Sequence, residues 1–260
     1  MLNLTNIEQA TQEFMLNSRL NIVEELDHLQ IFDKPLIGVA DTQDALFDCL
    51  KDEDAVGPQH MSPQQWLPGS KSVVSYFLPF TGRVREANRC IGLPAQEWLF
   101  GRIEGELFNN AMRQFLVGWF IEKGYQAISP GQDERFKVVQ RRSNWSERHV
   151  AYIAGLGTFS LNCSLITKSG SAGRLGSVIV SAPLESTPRY YTTKDENCTK
   201  CGACIKRCPP VAISEDGKDH GICSDYLDKV LAQFHPRYGC GKCQTAVPCE
   251  ARIPEALRSK

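Results

Sequence analysis

The feature that most constrains this chain is a closely spaced run of cysteines near its C-terminal end. In CTKCGACIKRCPP the thiols belong to Cys198, Cys201, Cys204 and Cys208. Three thiolates two residues apart can hold three corners of one cubane iron–sulfur cluster. The fourth cysteine, stiffened by the following proline, points away and in two-cluster proteins binds the second cluster. The run therefore predicts an electron-transfer centre and a second set of cysteines.

That second set lies downstream, in GICSDYL and YGCGKCQTAVPCE. With the first run it supplies eight thiolates, enough for two 4Fe–4S clusters with four ligands each. The crossed pattern of two-cluster ferredoxins predicts one cluster on Cys198, Cys201, Cys204 and Cys249. It predicts the other on Cys208, Cys223, Cys240 and Cys243. An exchange of Cys249 with a neighbouring cysteine stays open.

Two other uses of the cysteines compete with this interpretation. Four-cysteine zinc sites usually take their ligands from separated Cys-x2-Cys pairs, whereas this chain has a closely spaced triplet. Disulfides are typical of small secreted scaffolds, and eleven cysteines in 260 residues are too sparse for one. The three isolated cysteines, Cys49, Cys90 and Cys163, are expected to be small core residues.

Composition narrows the class of protein. The 29 Lys and Arg residues nearly balance the 30 Asp and Glu residues, so no overall field attracts nucleic acid or an anionic membrane. No segment approaches eighteen uncharged apolar residues, and the first residues lack a signal-peptide pattern. We therefore expect a cytoplasmic protein without a membrane segment.

Helical and strand patterns alternate before the cysteines. Strands are predicted over Leu36–Ala40 and near SVVSYFLPF, and one long helix over Glu97–Lys123. A shorter helix over 144–154 precedes strands at Ser164–Thr167 and Gly176–Ser181. The sequence therefore predicts an α+β fold with an α/β sandwich over residues 1–190, followed by a cysteine domain over 191–260.

Three motifs in this order, SNWSERHVAYIAGLGTFSLNCSLIT, RLGSVIVSAPL and the cysteine module, resemble the epoxyqueuosine reductase family. They resemble corrinoid reductive dehalogenases more distantly. The similarity covers about Val138–Glu250 and is weak before residue 130. It implies a nitroreductase-like α/β sandwich, a ferredoxin-like domain with two 4Fe–4S clusters, and a cobalamin bound between them.

Several residues could contact such a cofactor. Gly155 and Gly157 permit close approach of the backbone, and Arg174 and Ser177 could hydrogen-bond amides or a phosphate of the cofactor. A tight helix-to-strand turn without a ligand explains the glycines equally well.

Candidate catalytic residues are Tyr76, Tyr226 and Arg141. The two tyrosines could donate protons or face the cofactor, although buried aromatic packing is the commoner role. Arg141 stands where the resemblance places a proton-donating aspartate, about six residues before Glu147. Because arginine does not give up its proton near neutral pH, we expect it to bind an anionic substrate instead.

Two further departures from the family concern the end of the chain. Cys243 and Cys249 are five residues apart, with Pro248 before the last cysteine, whereas the family reads Cys-x2-Cys-x3-Cys-Pro. The sequence stops at Lys260 without a helical-repeat extension that could hold tRNA. We therefore expect tRNA not to be the substrate.

Two functions follow as hypotheses. In the first, the chain is a reductase whose clusters pass electrons to a bound corrinoid that reduces a small molecule. In the second, it is an electron-transfer protein that holds no corrinoid and reduces or reactivates a partner enzyme. Flavin is a less favoured alternative to the corrinoid, because no phosphate-cradling glycine motif selects it. Both hypotheses need an external electron donor such as ferredoxin or flavodoxin.

Overall fold

A computed structural model describes residues 2–255 of the protein. The last five residues, with the chain end at Lys260 and the last part of the predicted 191–260 domain, lie outside the described residues. The α-helices are α1 (Leu4–Asn17), α2 (Leu46–Cys49), α3 (Pro63–Trp66), α4 (Gly82–Ala87), α5 (Gln96–Glu122), α6 (Glu147–Ile153), α7 (Ala203–Arg207) and α8 (His220–Phe234).

Short strands accompany a few long ones. The strands are β1 (Ile22–Val23), β2 (Leu29–Gln30), β3 (Leu36–Asp41), β4 (Ser72–Pro79), β5 (Ala127–Ile128), β6 (Val138–Val139), β7 (Arg142–Ser143), β8 (Gly157–Phe159), β9 (Leu165–Thr167), β10 (Gly173–Val180), β11 (Ile213–Ser214) and β12 (Gly217–Lys218). Within the described residues the 3-10 turns lie at Arg19–Asn21, Glu24–Leu26, Pro130–Gln132 and Lys242–Gln244.

A four-stranded antiparallel sheet in the order β3-β4-β10-β5 forms the centre of the fold. Every residue of β4 is buried, as expected for a central strand covered on both faces. In the register of β4 and β10, Gly176 lies opposite Tyr76 and Ser177 opposite Ser75. Alternate residues of these strands therefore point into two different cores.

Helices cover both faces of the sheet. On one face α1 and α5 pack against Val74, Tyr76 and Val178. On the other face α6 and the short α2 and α3 pack against Val73 and Ile179. The result is a three-layer α/β/α arrangement, which agrees with the predicted mixture of helices and strands.

Most predicted elements lie where the patterns indicated. The long helix spans Gln96–Glu122 and is followed by Gly124, whose positive φ ends it. The helix predicted over 144–154 is shorter, because residues 144–146 form a bend between the β6–β7 hairpin and the first helical residue, Glu147. Within residues 2–255 no helix combines the length and the apolar character needed to cross a membrane.

The cysteine segment docks on one end of the sandwich. The backbone N–H groups of Ser171 and Ala172, just before β10, donate to the carbonyls of Cys249 and Glu250. The Asn162 side chain also donates to the carbonyl of Cys243 at 2.6 Å. These bonds bring the ends of β4 and β10 to the cysteines.

Candidate functional site

Two cavities divide the eight predicted ligands into two sets of four. The first cavity is lined by the thiol-bearing residues Cys198, Cys201, Cys204 and Cys249. We call these the first thiol set. The segment after β8 closes the other side of this cavity with Ser160, Leu161 and Asn162. Cys249, distant in sequence, therefore lies with the N-terminal triplet.

The second cavity, of about 240 Å³, lies between the cysteine segment and the end of the sandwich. It is lined by Cys163 and by the second thiol set, Cys208, Cys223, Cys240 and Cys243. Four basic side chains also line it, those of Arg102, Arg148, Arg174 and Lys218. These four side chains would therefore stabilise negative charge on the sulfurs of the second thiol set.

The thiols are suited to binding a metal cluster. All eleven cysteines are free. Burial raises the pKa of Cys243 to about 12 and that of Cys249 to about 11, and neighbouring thiols of the same set act in the same direction. Thiolates crowded in this way are stabilised when they coordinate positive metal ions. The donor set of each cavity therefore fits a four-thiolate cluster. Among residues 2–255, no three His, Cys, Asp or Glu side chains are grouped to hold a single metal ion.

An ion network leads from the second cavity toward the interior of the sandwich. Its members are Arg174, Glu106, Arg113 and Glu147. Arg174 Nη2 lies 3.0 Å from Glu106 Oε2, and Arg113 Nη1 lies 2.9 Å from Glu106 Oε1. Arg113 Nη2 then lies 3.7 Å from Glu147 Oε1. Two acids and two arginines alternate along this path.

The inner end of the ion network is fixed by hydroxyl and indole groups. Ser177 Oγ donates to Glu147 Oε2 at 2.6 Å and accepts from Trp145 Nε1 at 2.9 Å. Glu147 Oε1 is buried without a hydrogen-bond partner. Burial raises the pKa of Glu147, while Arg113 and the Ser177 hydroxyl act in the opposite direction. The fold thus keeps a carboxyl group with an elevated pKa at the start of α6.

The residues predicted to contact a cofactor lie in different surroundings. Arg174 lines the second cavity, whereas Ser177 is fully buried in the ion network. A Cβ on Gly157 would lie 2.1 Å from the carbonyl oxygen of Ile166, and one on Gly155 would lie 3.1 Å from that of Pro188. The two glycines thus allow close contact between backbone segments.

The candidate catalytic residues are also separated. Tyr76 is fully buried and its hydroxyl donates to Asn109 Oδ1 at 2.8 Å, while burial strongly raises its pKa. Tyr226 lines the second cavity near the thiols. Arg141 is exposed at the tip of the β6–β7 hairpin, where it adopts a positive φ of 66°. Of the three, Tyr226 is thus the one that lines this cavity.

Sequence patterns missed the polar side chains of α5. Glu106, Asn109 and Arg113 lie on the helix face that meets β10, and Arg113 and Asn109 both donate to the carbonyl of Leu175. Their spacing of three and four residues places them on one face of the helix, whose buried residues other than Asn109 and Arg113 are apolar or glycine. Polar residues at helical spacing on the buried face of a predicted helix are the sequence signal that could have identified these three side chains.

Comparisons with known proteins find epoxyqueuosine reductases among the relatives of this chain. No family model matches the chain. It is 26% identical to the epoxyqueuosine reductase of Bacillus subtilis over 237 residues, covering 83% of this chain and 59% of the relative. It is 33% identical to that of Listeria monocytogenes over 208 residues, covering 75% of this chain and 52% of the relative. The chain thus spans between half and two thirds of these relatives.

Solved structures share the fold. An epoxyqueuosine reductase from Streptococcus thermophilus has a TM-score of 0.54 at 16% identity, covering 98% of this chain and 69% of that one. A catabolic reductive dehalogenase has a TM-score of 0.56 at 14% identity, covering 84% of this chain and 30% of that one. The match over most of the chain shows that the similarity extends beyond the predicted range Val138–Glu250. The chain is therefore similar to epoxyqueuosine reductases over most of its length, and the resemblance read from its motifs is confirmed.

Proposed function

We propose that the protein is an iron–sulfur reductase. In this proposal the first thiol set holds one 4Fe–4S cluster and the second thiol set holds another. Electrons from an external donor, such as ferredoxin or flavodoxin, pass through both to an acceptor at the interface with the sandwich. The final substrate is a small molecule.

The observation that carries the proposal is that the eight predicted ligands divide into two sets of four, one set in each cavity, with the isolated Cys163 also lining the second. Four thiolates are the usual complement of a cubane cluster. Arg148 and Arg174 of the sandwich line the second cavity together with the thiols. A cluster held there would deliver electrons at the junction of the two parts of the fold.

A corrinoid acceptor is suggested by the relatives rather than by this cavity. One reductive dehalogenase structure with a TM-score of 0.50 is described as bearing on B12-dependent dehalogenation. The second cavity, at about 240 Å³, is smaller than the roughly 300–1,000 Å³ of pockets for drug-sized ligands. A corrinoid is larger than such ligands, and Gly155, Gly157 and Ser177 are engaged in internal contacts. The second cavity by itself is therefore too small for a complete corrinoid.

The small cavity favours a second candidate function. The protein would transfer electrons from its clusters to a partner enzyme and hold no corrinoid of its own. Anaerobic protein incubated with cobalamin separates the two candidates. Stoichiometric binding with a changed cobalt spectrum supports the corrinoid reductase, and an unchanged spectrum supports the electron-transfer protein.

The alternative to a small-molecule substrate is tRNA. One epoxyqueuosine reductase in the comparison, with a TM-score of 0.50, was solved with an epoxyqueuosine-modified tRNA stem loop. We propose a small-molecule substrate for this chain because Arg141 replaces the expected proton-donating aspartate. Cluster reoxidation on addition of modified tRNA, but not of unmodified tRNA, would contradict this.

Metal analysis tests the clusters directly. Anaerobically purified protein should contain about eight irons and eight sulfides per chain, as two cubanes require. Two zinc ions per chain would overturn the proposal.

The assignment of Cys249 has a separate test. Exchanging Cys249 for serine should reduce the iron content to about half, because only the first thiol set loses a ligand. Cys49→Ser is the matched control, since Cys49 belongs to neither set. Full iron content in Cys249→Ser would show that this residue is not a ligand.

A further inference from the structure

The ion network joins the second cavity to a buried carboxyl group inside the sandwich. Arg174 lines that cavity and lies 3.0 Å from Glu106. Arg113 lies 2.9 Å from Glu106 on one side and 3.7 Å from Glu147 on the other. Arg113 exposes 7% of its side chain and Glu147 exposes 19%. Charges that are buried to this extent are only weakly screened by solvent.

The net charge of the ion network depends on Glu147. With both carboxyl groups ionised, the two arginines and the two carboxylates balance each other. A proton on Glu147 leaves one positive charge in excess, because Arg113 and Arg174 then share the carboxylate of Glu106. Since Arg174 lines the second cavity, the excess positive charge acts on whatever that cavity holds.

Glu147 has one oxygen atom that is free to hold a proton. Its Oε2 accepts from the Ser177 hydroxyl, whereas its Oε1 is buried and has no hydrogen-bond partner within the described residues. A Cβ on Gly131 would lie 3.6 Å from Oε1, so the turn Pro130–Gln132 approaches this oxygen with backbone only. Burial also raises the pKa of the carboxyl group. Protonation of Oε1 therefore breaks no hydrogen bond.

The charged and titratable groups that face Glu147 from other elements belong to α5 and β4. Burial acts to lower the pKa of Arg113, but Glu147, Tyr76 and Glu106 raise it overall. Burial acts to raise the pKa of Glu106, but Arg174 and Arg113 lower it overall. Burial strongly raises the pKa of Tyr76. These groups therefore keep one charge state near neutral pH.

The other neighbours of Glu147 are neutral or lie at the cavity. Ser177 of β10 supplies a hydroxyl group. Burial lowers the pKa of His149 in α6 and of His60 before α3 to about 4, so both rings are neutral near neutral pH. Arg148, next to Glu147 in α6, lines the second cavity. Among these neighbours, Glu147 is thus the group whose charge can change near neutral pH.

We propose that Glu147 takes up a proton when the cluster on the second thiol set is reduced, so that the ion network couples electron arrival to proton uptake. The inference rests on the proposed function, because it requires a cluster in the second cavity. The cluster gains one electron from the external donor, and the Glu147 carboxylate gains one proton from water at Oε1. Reoxidation of the cluster reverses both steps.

The direction of the effect follows from the charges. Reduction adds negative charge beside Arg174, and protonation of Glu147 adds positive charge at the other end of the network. Because such coupling is reciprocal, a proton that raises the reduction potential is itself bound more tightly after reduction. The potential of the second cluster should therefore fall as pH rises. The first thiol set lines a cavity without Arg174, so its cluster serves as an internal reference.

The test is an anaerobic potentiometric titration at several pH values above 4.5, the ordinary pKa of glutamate, with the paramagnetic resonance of both clusters recorded. Cys249→Ser, in which the second cluster remains, assigns the wave of that cluster. In the wild-type protein this wave should fall by about 59 mV between the two pH limits, equivalent to tenfold tighter proton binding after reduction. Glu147→Gln should abolish the fall, and Glu147→Asp, which keeps a carboxyl group, should retain it.

Infrared difference spectra of the reduced and oxidised protein give a second measurement. Reduction should increase the band of protonated carboxyl groups in the wild-type protein, and the increase should be missing in Glu147→Gln. Glu13→Gln, on the exposed side of α1, is the matched control and should keep the increase.

Failure of this inference differs from failure of the proposed function. Absence of iron from the wild-type protein would refute the clusters themselves. Full iron content with the same pH dependence in the wild-type protein and Glu147→Gln, or with both waves changed equally, would overturn the role of Glu147 alone. If Glu147→Gln loses the second cluster, the wild-type infrared spectrum decides, and a carboxyl band that does not change on reduction overturns the proposal.

Discussion

Two buried serines near the inner end of the ion network differ in their hydrogen bonding. Ser177 satisfies both the Trp145 indole and the Glu147 carboxyl group, and its side chain is fully buried. Ser75 lies opposite it on β4 and is equally buried, but its hydroxyl has no hydrogen-bond partner. Two adjacent serines of the same sheet thus differ in what their hydroxyl groups do.

Replacing each serine by alanine measures that difference. Ser177→Ala leaves two buried polar groups short of a partner, which costs about 1–3 kcal/mol in stability. Ser75→Ala removes an unpartnered hydroxyl and should leave stability unchanged or raise it. Anaerobic thermal unfolding at one scan rate gives the comparison. Equal losses in the two variants would contradict the hydrogen-bond network.

Glu147 should also make stability depend on pH. Its pKa is raised above the ordinary value of 4.5 by burial, so the folded protein binds a proton more tightly than the unfolded chain. Its contribution to stability is therefore present below pH 4.5 and is lost as pH rises through the elevated pKa. Glu147→Gln should remove this part of the decrease in stability with rising pH.

Infrared spectroscopy detects the titration without unfolding. A protonated carboxyl band should persist above the pH at which exposed glutamates ionise, and it should be missing in Glu147→Gln. Glu13→Gln, on the exposed side of α1, is the control and should leave the band in place. A band that titrates with the exposed groups would contradict the raised pKa.

At the scale of secondary-structure elements, the pairing of β4 with β10 determines which side chains of the two strands are in contact. Strands β4 and β10 were predictable from their apolar residues, and the structure confirms them with small changes in their ends. Their pairing was not predictable, because it joins segments about a hundred residues apart. Tyr76 became a core residue only through this pairing, since its ring lies over Gly176.

The contact predicts opposite effects of alanine at two glycines. A Cβ on Gly176 would lie 2.3 Å from the Tyr76 hydroxyl and 2.4 Å from its ring. Gly176→Ala should therefore lower stability by about 1–3 kcal/mol through overpacking. Gly118→Ala in α5 meets nothing within 4 Å and should raise stability by about 0.5–1 kcal/mol. Thermal unfolding of both variants tests the pairing, and a tolerated Gly176→Ala would contradict it.

For the whole molecule, the cysteine segment and the sandwich form a continuous contact. Glu250, next to Cys249, is 4% exposed and accepts from Arg89 Nη2 at 2.8 Å and from the backbone N–H of Ala246 at 2.6 Å. Arg85 Nε lies 3.7 Å from the same carboxyl group. Glu250 therefore joins α4 to the end of the cysteine segment.

Loss of this carboxyl group should loosen the segment. Glu250→Ala leaves Arg85 without its partner and should cost about 3–5 kcal/mol, the range for breaking a buried ion pair. Hydrogen exchange should accelerate in residues 238–255 more than in β4. Asp27→Asn is the control, because the pair of Asp27 with Arg83 is exposed and contributes little, and asparagine tolerates the left-handed backbone at this position. Unchanged exchange in Glu250→Ala would show that other contacts hold the segment.

The sequence by itself determined the number and spacing of the thiols, the main strands and helices, and the resemblance to epoxyqueuosine reductases. These are local properties, since they depend on residues close together in the chain. Only the tertiary structure decided that Cys249 shares a cavity with Cys198, that Ser177 meets Glu147, and that Arg174 meets Glu106. Each of these joins residues far apart in sequence, and burial gives each its charge environment. Those contacts arise from how the layers pack, which residue order alone does not specify.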